Sequence, residues 1–181
     1  MAIRYSQLHH ISEITDQLYL TSAYGASSPT ALRAKGITCV VNATLSFQVP
    51  TPSNIKDIEY IRVPVDDAPS ANLSMYFDSI ADKIHNVKRA RGRCLVHCYA
   101  GRSRSASLIM VYLMKYEHMT LKQAHTYVRG RRPVIRPNPG FWKQLIHYER
   151  TVKGKSTVKM VPSSIGWIPD IYKEEMKGLV W

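Results

Sequence analysis

The run His97-Cys98-Tyr99-Ala100-Gly101-Arg102-Ser103-Arg104-Ser105 constrains this chain more than any other. It follows a short apolar stretch, Cys94-Leu95-Val96, and precedes a helix-like segment, Ala106 to Tyr116. A strand feeding a tight loop that opens into a helix is an anion trap. Successive backbone N–H groups point into the loop, and the helix start adds partial positive charge. Gly101 permits close backbone approach, and Arg104, where the helix begins, can grip two phosphate oxygens at once. A cysteine at the base of such a loop is expected to ionise near neutral pH. Nucleophile, cradle and clamp together predict phosphoryl transfer through a cysteinyl-phosphate on Cys98. The phosphate would be held by Arg104 and the N–H groups of Tyr99, Ala100, Gly101, Arg102 and Ser103.

The neighbours extend the kit. The Ser105 hydroxyl can donate to the sulfur as it leaves the phospho-enzyme; the plainer role is to cap its own helix. His97 is expected to orient the loop and help lower the thiol pKa rather than act as a base. Attack on a phosphate ester needs an acid for the departing oxygen. The turn-rich segment Val63-Pro64-Val65-Asp66-Asp67-Ala68-Pro69-Ser70 offers two: Asp67 is the choice, Asp66 the alternate, and turn capping the competing explanation for both. Cys39 and Cys94 lie in apolar strand-like runs and are expected to be structural. Whether Cys94 can trap an oxidised Cys98 as a disulfide stays open, since two residues of one strand need not have bonding geometry. No Cys/His spacing resembles a zinc site, and neither metal nor cofactor is expected.

At 181 residues the chain is expected to form a single compact domain. Strand-like runs (Ile14 to Thr21 with a turn at Asp16-Gln17, Thr38 to Asn42 and Glu59 to Val63 with buried-strand patterns, Cys94 to His97) alternate with helical ones. Ser28 and Pro29 start a short helix that Gly36 ends. Leu73 to Val87 carries an apolar stripe of Met75, Ile80, Ile84 and Val87. Thr120 and Gln123 make a capping box for a helix ending near Gly130. Asn138-Pro139 caps the helix Phe141 to Thr151, whose Phe141, Leu145 and Tyr148 look like core. Alternation argues for an α/β domain with helices packed on a central sheet. After the polar break Lys153-Gly154-Lys155-Ser156 come a strand-like piece, Thr157 to Val161, and a helical turn between Asp170 and Lys177. Trp167, Ile168, Ile171 and Tyr172 are expected to dock this tail. Residues 12–152 are therefore read as the catalytic domain and 153–181 as an extension packed on it.

The net charge of +12 raises nucleic acid or an acidic membrane as partners. Yet the basic residues are scattered: Lys88, Arg89, Arg91 and Arg93 before the loop, Arg129, Arg131, Arg132 and Arg136 after it. No nucleic-acid module, bilayer-spanning apolar run, signal peptide or lipidation motif is recognisable. A basic face that attracts phosphorylated, acidic protein segments is the preferred reading. Three cysteines without framework spacing fit a reducing compartment, with cytoplasm expected and nucleus or a mitochondrial surface open.

At these residues the chain resembles the cysteine-dependent dual-specificity phosphatases, from about Ser12 to Arg150. HCYAGRSRS carries the family signature, and VDDAPSANLSMYFD matches the acid segment, with Asp67 at the general-acid position relative to Tyr76-Phe77. ITCVVNAT, RRPVIRPNPGFWKQLIHYER and GKSTVKMV with IPDIY are similar to the small atypical subgroup that includes dual specificity protein phosphatases 14, 18 and 21. The resemblance implies a central mixed sheet flanked by helices. It also implies metal-independent hydrolysis of phosphotyrosine and phosphoserine or phosphothreonine, MAP-kinase pathway proteins as substrates, and an Asn42 that shapes the phosphate loop. The docking domain that precedes typical MAP-kinase phosphatases has no counterpart in this sequence, so selectivity is expected from the domain's own surface. Oligomeric state is not specified. Arg102 departs from the subgroup, where a small apolar residue is usual, and resembles the loop of the mitochondrial phosphatidylglycerophosphate phosphatase. Hydrolysis of phospholipid or other polyanionic phosphates is thus the second reading. A non-catalytic phosphopeptide scaffold is the third.

Overall fold

Five consecutive buried residues make Cys94–Cys98 the centre of the molecule. A strand hidden on both faces needs apolar cover from two sides, and the chain supplies it. The computed structural model describes residues 9–45, 56–173 and 175. In chain order the first strands are β1 (Ser12–Thr15), β2 (Leu18–Ser22), β3 (Cys39–Asn42), β4 (Glu59–Arg62) and β5 (Cys94–Cys98). They form one mixed sheet in the order β1-β2-β5-β3-β4, antiparallel only between β1 and β2. Alternation across the pleat divides the core. Tyr19, Val40 and Leu95 meet Ala26 and Leu32 of the short helices α1 (Ala23–Ala26) and α2 (Pro29–Ala34). Leu20, Val41 and Val96 face the opposite cluster. That cluster is built by α3 (Phe77–Arg89), α4 (Arg104–Tyr116), α5 (Leu121–Arg131) and α6 (Pro139–Lys153). Helix α4 is buried from Arg104 to Met114, as its apolar sequence demands.

The helix starts follow the sequence. Ser28 Oγ accepts from Ala31 N (3.2 Å) with Pro29 in the first turn, the Thr120–Gln123 capping box is present, and Asn138 Oδ1 accepts from Phe141 N (3.0 Å). Four expectations need correction. Met75 is 66% exposed, because a 3₁₀ turn over Ser74–Tyr76 precedes α3 and shifts the phase so that Phe77 enters the core. Glu59–Arg62 is a half-exposed edge strand rather than a buried one. The strand expected from Thr157 begins at Met160, since the Thr157 N–H and hydroxyl are taken by the Glu149 carboxylate; β6 (Met160–Ser163) then pairs with β7 (Gly166–Pro169) as a separate hairpin. Within that hairpin Trp167 faces outward, 57% exposed, while its neighbour Ile168 is buried with Tyr172. The turn expected between Asp170 and Lys177 is a 3₁₀ turn over Asp170–Tyr172; Glu174, Met176 and Lys177 lie outside the described residues.

The register also fixes the cysteines. Cys39 and Cys94 are direct partners on adjacent strands, and Cys98 lies four residues further along β5. At roughly 3.3 Å per residue that is about 13 Å, far beyond disulfide reach. The hydrogen bond between Cys39 and Cys94, together with burial, raises the pKa of the Cys94 thiol.

Candidate active site

The phosphate loop hangs from the carboxyl ends of three parallel strands, where open α/β sheets present their sites. Ala43 N at the end of β3 donates to His97 O (2.8 Å), and Ala23 N beyond β2 donates to Tyr99 O (3.0 Å). Gly101 turns the loop at φ +66°, pressed so closely on β2 that a Cβ would collide with the Thr21 carbonyl. Arg132 braces the loop from outside. Its Nε donates to Gly101 O (2.8 Å) and its Nη2 to Ala100 O (3.3 Å). In a trans peptide the N–H points opposite to its carbonyl, so these bonds turn the N–H groups of Gly101 and Arg102 away from Arg132 and into the loop.

Inside the loop, Cys98 Sγ lies 3.1 Å from Ser105 Oγ in the first turn of α4. Arg104 is buried, donates from Nη1 to Val65 O (3.0 Å), and keeps a buried Nε that has no hydrogen-bond partner among the described residues. A buried donor of this kind is costly unless a ligand meets it. Ser103, at the N-cap position, does not cap the helix with its side chain. Its hydroxyl donates instead to Asp67 Oδ1 (2.7 Å) and accepts from Asn138 N (3.2 Å). The first N–H groups of α4 are thereby left to the loop.

The two aspartates separate cleanly. Asp67 Oδ1 accepts from Ser103 and from Asn138 Nδ2 (2.9 Å), while its Oδ2 stands 3.9 Å from Arg104 Nε. Asp66 turns back to accept the Asp67 N–H (2.8 Å). Helix α6 fixes this acid segment: a Cβ on Gly140 would overlap the Pro69 carbonyl, and Gln144 Oε1 accepts from Leu73 N (2.9 Å) and Ser74 N (2.8 Å). His97 is buried, which pushes its pKa down to about 4, and its Nδ1 faces the Cys98 carbonyl at 3.3 Å. It is a neutral packing group at physiological pH, so any effect on the thiol is not that of an imidazolium. Asn42 stands opposite His97 in register and accepts from Thr44 Oγ1 (2.6 Å). Tyr99 is half-exposed, edge-on to Tyr24. Arg102 Nε donates to Val134 O (2.9 Å). Among the described residues no three His, Cys, Asp or Glu side chains group to hold a metal.

The family model "Dual specificity phosphatase, catalytic domain" matches residues 18–151, the span that contains every group above. The chain belongs to the dual-specificity phosphatases. These are cysteine-dependent, metal-independent enzymes, and dual-specificity protein phosphatase activity toward phosphoproteins is the activity of this chain. It is 51% identical to dual specificity protein phosphatase 14 of Homo sapiens over 94% of its length and 84% of that protein's. Identity to dual specificity protein phosphatase 18 of Mus musculus is 46%, covering 94% and 89%. The crystal structure of human DUSP28 superposes with a TM-score of 0.75 at 36% identity, covering 79% of this chain and 95% of that one. No helix among the described residues is long and apolar enough to cross a membrane.

Arg132, Asn138 as an acid-loop ligand, Gly140 and Gln144 are site residues that the sequence alone does not single out. In the sequence Arg132 falls among the scattered basic residues, yet it is 2% exposed. The available signal was Pro133, which ends α5 and leaves Arg132 at its C-cap, turned inward.

Proposed function

We propose that this phosphatase works in two steps on Cys98, with Arg104 as clamp and Asp67 as acid and base. The Cys98 thiolate attacks phosphorus, and the ester P–O bond breaks. Asp67 protonates the departing oxygen, and Oδ2 suits that task because Oδ1 is already shared by Ser103 and Asn138. Water then attacks the phosphocysteine and gives its proton to Asp67. The S–P bond breaks, and Ser105 hydrogen-bonds to the released sulfur. The Nε of Arg104, buried without a hydrogen-bond partner among the described residues and 3.9 Å from Asp67 Oδ2, carries this reading: it is the donor that an equatorial phosphoryl oxygen would satisfy. His97 and Asn42 are assigned to loop positioning, and the N–H groups of Tyr99 to Ser103 to the oxygens. Residues 12–152 would form the catalytic domain and 153–181 its packed extension. Phosphorylated MAP-kinase pathway proteins are the proposed substrates, in cytoplasm and nucleus. The phospholipid reading rests on Arg102 and on the basic net charge, and the Val134 carbonyl already takes the Arg102 Nε.

The test is phosphate release, in EDTA, from a doubly phosphorylated kinase activation-loop peptide beside a phospholipid panel. Release from both phosphotyrosine and phosphothreonine, abolished by Cys98→Ser, is expected. Turnover retained by Cys98→Ser would refute the mechanism.

A further inference from the structure

Two arginines from different elements converge on one carboxylate of the tail. Arg129, in the last turn of α5, pairs with Glu175, and Arg136, in the connection to α6, pairs with the same residue at 3.4 Å. Both guanidinium groups lie over the Tyr172 ring, Arg136 at 4.7 Å and Arg129 at 5.9 Å from its centroid. Tyr172 is buried edge-on against Trp142 and His125, so the platform is fixed while the arginine side chains stay 37% and 41% exposed. The Arg136 N–H donates to the Arg102 carbonyl (2.9 Å), which joins this platform to the phosphate loop through a single hydrogen bond.

We propose that Arg129 and Arg136 form an anion subsite for acidic or doubly phosphorylated substrate segments, and that Glu175 occupies it between turnovers. The proposal rests on Cys98 being the reacting centre, because it takes the subsite to lie beside the bound phosphoresidue. Exposed ion pairs are individually weak, and Glu175 holds its place through the millimolar effective concentration of a short tether. An incoming carboxylate replaces it pair for pair, and a phosphate adds bidentate contact with either arginine. Glu175 is thus a built-in competitor that raises the KM of acidic substrates and leaves neutral ones untouched.

The experiment compares two phosphotyrosine peptides that differ only in flanking Asp and Glu replaced by Asn and Gln. The proteins are wild type, Glu175→Gln and Arg136→Gln, with p-nitrophenyl phosphate as the readout of chemistry alone. Glu175→Gln should raise kcat/KM for the acidic peptide about threefold to tenfold through KM. The neutral peptide and the aryl phosphate should not change. Arg136→Gln should erase the preference for the acidic peptide. Binding of both peptides to Cys98→Ser gives the same ratio without turnover, so a failure of the reaction mechanism cannot be mistaken for a failure of the subsite. An acidic-to-neutral ratio that neither variant moves, in turnover or in binding, would overturn the proposal and leave Glu175 as a clasp for the tail.

Discussion

Arg132 spends its whole fork on the chain itself: the carbonyls of Gly101, Ala100 and His10, and Ser12 Oγ. Burial lowers its pKa, and the electrostatic interaction with Cys98 works in the opposite direction. Arg132→Lys keeps the charge and loses the fork. A fall in kcat/KM of about tenfold to a hundredfold is expected, with circular dichroism unchanged, because the loop N–H groups lose their orientation. For Asp67→Asn the expected loss is about 10²–10⁴-fold on an alkyl phosphate and much less on p-nitrophenyl phosphate, whose leaving group needs no proton. Equal losses on both would remove Asp67 from the acid role. At this scale the chemistry was legible because Cys98, Arg104 and Ser105 sit within one contiguous run. Arg132 was not, since a lone arginine before a proline carries no periodic signal. Asp67 is singled out in the sequence by its place in the acid segment; what the sequence does not show is that Ser103 and Asn138 meet on its carboxylate, since only the fold brings them there.

Between elements, the acid segment and α6 behave as one unit. Gly140 lets the helix start touch Pro69, Asn138 reaches Asp67, and Gln144 binds the Leu73 and Ser74 N–H groups. Gly140→Ala should push the segment off the loop. We expect destabilisation of about 1–3 kcal/mol from overpacking. Alkyl phosphate turnover should fall further than aryl phosphate turnover, since the acid moves and the nucleophile does not. A thermal melt and the two rate ratios check both. Helices and most strands were readable from caps and alternation, as at Thr120–Gln123 and Asn138. The phase slip at Met75 was not readable, because a 3₁₀ turn and a helix share the same residue preferences. Nor was the delay of β6, which depends on the distant Glu149 claiming Thr157.

Across the whole molecule, burial holds two imidazoles neutral. His97 and His125 both have pKa values pushed down to about 4 from 6.5. The unfolded chain therefore binds up to two more protons between those limits. Their contribution to stability is complete above about pH 6.5 and is lost as pH falls toward 4, with a slope approaching about 2.7 kcal/mol per pH unit. Urea midpoints at pH 7 and 5 should show it, and His97→Asn should roughly halve the slope. Glu149 acts lower on the scale. Burial raises its pKa, but hydrogen bonds from Leu121, Thr157 and Ser156 outweigh that and lower it overall. Its clasp on the tail holds above the ordinary carboxyl range and fails on further acidification. The strand register also governs the response to oxidative damage. Peroxide that turns Cys98 into a sulfenic acid leaves it about 13 Å along β5 from Cys94. Neither of the other two thiols can resolve it. Recovery must come from a small thiol such as glutathione, and mass spectrometry after limited peroxide should find mixed disulfide or sulfinic acid at Cys98, never a bridge to Cys94. The surrounding thiol pool, rather than the protein, then sets how long this enzyme stays active under oxidative stress.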